Sequence, residues 1–158
     1  MDGPVSTALR SALCDILLAG RPDEVVSGMA LGFDMIWAEE ALELEIPVTA
    51  AIPFEGQERT WPRASQARYH EILAHPLVTE MICAPGGATS VNHKFDHRNR
   101  IMCDRAKASM SGRLIAGWDG TGGGTRNTVL YARDIELPII RVRPTTISRL
   151  TWIVEHET

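Results

Sequence analysis

The sequence predicts an α/β fold: a mostly parallel sheet with helices on both faces. Three observations carry this. From Glu24 to Val142, short apolar runs of strand length alternate with segments of helical periodicity. Glycine- or proline-containing turns separate most of these runs from the helices that follow. Finally, the stretch Arg113 to Tyr131, RLIAGWDGTGGGTRNTVLY, runs from an apolar segment through a glycine turn into a helical pattern. Strand, glycine turn and helix start together make a place where phosphates are held.

Taken in order, Val5 to Ala19 reads as a helix with Val5, Leu9, Ala12, Leu13, Ile16 and Leu17 on one face, stopped by Gly20 and Pro22. Glu24 to Ser27 is a short strand, and the turn Gly28 to Gly32 leads to Asp34, which has the character of an N-cap. A helix follows from about Met35 to Glu45, then a strand from Pro47 to Ile52. After the loop at 53–57, Pro62 fits the first turn of a helix reaching about His75. Val78 to Ala84 is a strand, Pro85 to Lys94 a polar loop, and Phe95 to Ala108 a helix. Leu114 to Trp118 is the strand before the glycine loop, and Pro138 to Val142 is the next strand. The tail from Pro144 carries a weak Ile147, Leu150, Trp152, Ile153 periodicity, which fits either a helix or an edge strand. The whole reads as one domain over 1–158, with a core at 24–142 and a tail at 143–158.

Composition narrows the function classes. The formal net charge of −4 argues against a protein that coats nucleic acid by charge alone. No apolar run has the length of a membrane span and no export signal is present, so the expectation is a cytoplasmic protein without a membrane partner. Cys14, Cys83 and Cys103 are odd in number and widely spaced, which reads as reduced thiols.

Ligands of such sheets bind outside the carboxyl ends of the strands. The turns at 28–34, 53–61 and 119–127 are expected to converge on that edge, with the 85–96 loop as a fourth. In the third turn, Asp119, Gly122, Gly123, Gly124, Thr125 and Asn127 form the anion-binding candidate, with Thr125 and Asn127 placed to cap the helix or donate to a ligand. It matches neither the dinucleotide nor the P-loop pattern. The first turn offers Gly28 and Gly32 as a backbone cradle and Asp34 as a hydroxyl acceptor, or else a plain turn with a capping Asp. The second offers Phe54 and Trp61 for stacking and Gln57 and Glu58 for hydrogen bonds, or else a solvated loop in which Trp61 staples the next helix. Arg98 and Asn99, placed at the start of their helix, rise above an otherwise solvated basic stretch, Arg98 as a phosphate clamp. His93, Asp96 and His97 lack a third ligand at a recognised spacing, so no metal is expected. Cys103 has no partner that would make it a nucleophile. The residues require no cofactor.

Three blocks in this order, SGMALGFDMIWAEEALELEIPVTAAIPFEGQERTW, RNRIMCDRA and WDGTGGGTRNTVLYAR, resemble the YpsA-like branch of the SLOG superfamily. That superfamily also holds the Lonely Guy phosphoribohydrolases and DNA-processing protein A. The resemblance covers about Glu24 to Val142 and implies a Rossmann-like fold, in bacteria or their phages, whose glycine loops bind nucleotides or nucleotide-derived ligands. Gly28, Gly32 and Asp34 match the first glycine block. Gly123, Gly124 and Thr125 match the phosphate block. Arg98, with Met102, falls where the Lonely Guy enzymes place an active-site Arg. Those enzymes follow their Gly-Thr with a carboxylate pair, and this chain has Asn127 and Thr128 there. Relatives usually open with a strand ending in a Thr-Gly-His-Arg-like turn, whereas this chain opens with a helix. A homodimer fits the sheet edge such a missing strand would leave.

The first expectation is therefore a sensor module binding a nucleotide-derived small molecule. Phosphate would lie on Gly122–Thr125 and Arg98, ribose on Asp34, and the base on the Phe54–Trp61 loop. The alternative is a phosphoribohydrolase acting on a nucleoside monophosphate, with Glu58 as acid/base and Arg98 as the active-site Arg that the resemblance implies. A second alternative is a DNA-binding protein like DNA-processing protein A.

Overall fold

A computed structural model describes residues 4–84, 87, 89–144 and 152–157. Pro85, Gly86 and Ala88 of the polar loop lie outside these residues, as do Ile147 and Leu150 of the tail pattern. The order is α1 (Pro4–Ala19), β1 (Val25–Ser27), α2 (Phe33–Glu43), β2 (Val48–Ile52), α3 (Arg63–Leu73) and β3 (Val78–Ile82). It continues with α4 (Val91–Lys107), β4 (Leu114–Gly117), α5 (Gly124–Asp134), β5 (Ile139–Pro144) and β6 (Trp152–Glu157). None of the described helices is long and apolar enough to cross a membrane.

Two compact units are distinguished, Ile16–Arg98 and Met1–Asp15 with Asn99–Thr158. The first holds a parallel sheet in the order β1-β2-β3, with Val25 beside Val48 and Val48 beside Val78. Every residue of β2 is buried, as a central parallel strand requires. β3 is half exposed and takes the edge. α2 packs on β1, β2 and α3, and its Met35, Ile36, Trp37, Ala38 and Ala41 are all buried. A bidentate Arg68–Glu39 ion pair ties α3 to α2.

The second unit holds a mixed sheet in the order β4-β5-β6. β4 and β5 run parallel, and β6 pairs antiparallel with β5, so the tail supplies an edge strand. Its core gathers Cys103 from α4, Ala116 from β4, Val129 and Ala132 from α5, and Leu137 and Ile139. Burial raises the Cys103 thiol to about 11, so it is protonated at neutral pH and packs as an apolar group.

One boundary moves by a full turn. α4 begins at Val91, where the sequence reading has loop to Lys94. The cause is Ser90, whose Oγ accepts from the His93 amide at 3.2 Å while its carbonyl accepts from Lys94. Arg98 and Asn99 therefore stand two turns inside the helix and not at its start.

Candidate functional site

The carboxyl end of β1 is built around a missing Cβ. At Gly28 an added Cβ would collide with the Arg98 guanidinium and lie 2.8 Å from Asp34 Oδ2. Arg98 reaches in from α4, only 4% exposed, and Nη1 donates to the carbonyls of Gly28 and, at 3.2 Å, Ala51. One guanidinium thus closes the carboxyl ends of two adjacent strands. Desolvation pushes the Asp34 carboxyl above the ordinary carboxylate range, against the pull of Arg98 and of the Ala30 amide. Burial in turn lowers Arg98 from its usual value, opposed by Asp34 and Cys83.

The structure therefore brings Gly28, Asp34 and Arg98 together and uses their polar atoms internally. Asp34 is not the N-cap of α2. That position is Gly32, at φ 88°, with no side-chain cap. Asp34 lies in the first turn and accepts from the Ala30 amide of the loop at 3.3 Å. Ser27 completes the arrangement, accepting from the Met29 amide at 3.2 Å and donating to the Asp34 carbonyl at 2.7 Å. A buried serine directly before a glycine turn is a signal the sequence reading passed over.

In the turn after β2, Gln57 is buried, and its Nε2 faces the Met29 carbonyl at 3.4 Å and the Tyr69 hydroxyl at 3.5 Å. Glu58 lies 3.6 Å from His70 Nε2. Trp61 packs edge-on against Tyr69 of α3, ring centroids 5.5 Å apart. Phe54 meets Phe95 of α4 edge-on at 5.7 Å, Lys94 Nζ stands 5.2 Å from the Phe54 ring, and Arg98 stands 5.7 Å from the Phe95 ring. This series, an aromatic pair with a cation at each end, pairs Phe54 with α4 and not with Trp61.

The glycine loop belongs to the other unit. Asp119 Oδ1 accepts from the Thr121 amide at 2.9 Å and its hydroxyl at 2.7 Å, which holds the carboxyl below its usual range. Gly123, at φ 130°, is the N-cap of α5, and no side chain caps the helix. Thr125 and Asn127 fall inside the first helical turn and do not cap it. Residues 119–127 are all exposed. The first amides of α5 thus follow an exposed glycine backbone at the positive end of the helix and carry no side-chain cap. Asn99, on α4 of this unit, is partly buried. Among the described residues no group of three or more His, Cys, Asp or Glu is placed to hold a metal.

With this geometry in place, the comparisons are specific. The family model for DNA recombination-mediator protein A matches residues 7–151. The chain belongs to the DNA recombination-mediator protein A family. The relation to the SLOG superfamily thus falls in its DNA-processing protein A branch. The X-ray structure of DNA processing protein A (DprA) from Streptococcus pneumoniae matches with a TM-score of 0.63 at 17% identity. The match covers 95% of this chain and 49% of that one, so the chain spans about half the length of that structure. At that identity the likeness is one of fold, and the fold is Rossmann-like. No curated protein matches the chain.

Proposed function

We propose that this member of the DNA recombination-mediator protein A family binds single-stranded DNA through its phosphates, with the start of α5 as a contact. One observation carries this reading: residues 119–127 are exposed along their whole length while the first amides of α5 have no side-chain cap. A mononucleotide site encloses most of its ligand. An exposed loop leading into uncapped amides suits a polymer passing over it. The family description, which names DNA recombination, supports DNA over a free nucleotide. A cytoplasmic location goes with this reading. The net charge of −4 implies few phosphate contacts and a shallow salt dependence.

A nucleotide-derived small molecule would use the same amides and is separated by the test. Hydrolysis of a glycosidic bond has less support, because Glu58 faces His70 and the exposed helix start carries no carboxylate at Asn127 or Thr128. The test is fluorescence anisotropy with labelled oligo(dT) of increasing length, competed by AMP. Affinity is expected to rise with length and to fall, for each tenfold rise in salt, by about 0.7 log units per phosphate contacted. Gly123→Ala is expected to weaken binding about tenfold, because φ 130° strains any residue with a Cβ. Equal competition by AMP would replace the polymer with the small molecule, and no binding of either would remove both readings.

A further inference from the structure

Arg141 lies on β5, in a run that reads from the sequence as an ordinary strand, yet its guanidinium is turned to the glycine loop. Its Nε donates to the Trp118 carbonyl at 2.8 Å. Its Cζ lies 4.8 Å from the Trp118 ring centroid. A Cβ on Gly120, at φ 98°, would stand 3.1 Å from its Nη2. On its other side, Nη1 is 3.8 Å from Glu155, a carboxylate that Arg143 holds more closely at 2.7 Å.

These contacts pass directly into the loop. Trp118 Nε1 donates to the Thr121 carbonyl at 2.7 Å, and the Trp118 amide donates to Val142 on β5 at 3.1 Å. Thr121 is bonded in turn to Asp119. The Arg141 guanidinium therefore holds the carbonyl of Trp118, lies closer to its ring than Arg133 does at 6.0 Å, and approaches Gly120, and the Trp118 ring holds Thr121. A planar fork can donate at its edge and stack on its face at once. An ammonium has no such plane.

We propose that Arg141 is the positioning residue of the glycine loop, fixing Trp118 to Thr121 so that the amides leading into α5 are presented in one arrangement. This rests on the phosphate reading above, and Arg141 acts through Trp118 and Gly120 without touching the ligand. It also explains why glycine stands at position 120, where φ is positive and the guanidinium approaches closely.

Two measurements on R141K and R141Q test it. The first is amide hydrogen exchange without ligand. Both variants are expected to exchange about tenfold faster at the amides of Trp118 and Thr121, which are bonded to Val142 and Asp119, with Val129 to Ala132 unchanged. The second is oligo(dT) binding against salt. Affinity is expected to fall about tenfold in both variants. The salt slope is expected to match wild type. R141K behaving as wild type in both measurements overturns the proposal, since charge alone would then suffice. A slope reduced by about 0.7 also overturns it, since Arg141 would then contact phosphate directly. If wild type fails to bind oligo(dT) while exchange rises in the variants, the phosphate reading falls and the loop-positioning role stands. If wild type binds and exchange does not change, the positioning role falls alone.

Discussion

Replacing Arg98 with Met is expected to destabilise the protein by about 3–5 kcal/mol near pH 8, the usual cost of removing one partner from a buried charge pair. The guanidinium is 4% exposed and closes the ends of β1 and β2 through the carbonyls of Gly28 and Ala51. Without it those carbonyls lose a donor and Asp34 loses the charge that favours its ionised form. The loss should depend on pH. Desolvation already holds the Asp34 carboxyl above its ordinary 3.8. Between that value and the higher folded one, the folded chain keeps a proton that the unfolded chain has released. Stability therefore falls as pH rises through this window. Removing Arg98 moves the folded pKa further up and widens the window. Arg98→Met should thus recover part of its deficit on acidification toward pH 5, measured by urea unfolding at several pH values. A deficit that is the same at pH 5 and pH 8 would show that Asp34 is not the group left uncompensated. The double variant Arg98→Met with Asp34→Asn should cost less than the sum of the single changes, because no buried charge then remains unpaired.

Gly112→Ala is expected to cost about 2–3 kcal/mol, the scale of forced overpacking. The chain turns sharply after α4, with the Ser109 amide donating to the Ala106 carbonyl at 3.1 Å and the Gly112 amide to the Ser109 carbonyl at 3.3 Å. A Cβ on Gly112 would overlap the carbonyl of Ala106, which is backbone and cannot swing away as a side chain would. The turn must open, and with it the approach of α4 to the cluster around Cys103. Gly20→Ala is the control. Nothing lies within 4 Å of a Cβ there, and its φ is not positive. That change should be neutral, or stabilising by about 0.4–1 kcal/mol through the unfolded chain. Thermal unfolding of the two variants side by side checks this, and equal midpoints would show that the turn after α4 yields at little cost.

The strands and helices were largely legible in the sequence because their signals are local. β2 reads as an apolar run and is buried throughout, and the α5 start reads from its glycines. The failure at α4 was local as well. Ser90 caps the helix there, but the polar residues that follow, Asn92, His93 and Lys94, look like loop. The candidate site was legible as a set of residues and not as a set of roles. Arg98 was found for its charge, and the structure spends that charge on Gly28, Ala51 and Asp34. Gln57 and Trp61 were found for their chemistry, and they pack around Tyr69. Arg141 was not found at all, since one arginine in an apolar strand carries no local signal.

What the sequence determined alone is the alternation of strand and helix and the start of a helix from a glycine turn. Both follow from periodicity and from the torsional freedom of glycine, which neighbours in the chain are enough to reveal. What only the tertiary structure decided is which polar groups are already occupied. A hydrogen bond from Arg98 to Gly28, or from Arg141 to Trp118, joins residues far apart in the chain. Whether a guanidinium meets a ligand or its own backbone depends on that distant partner, and nothing near it in sequence records the choice.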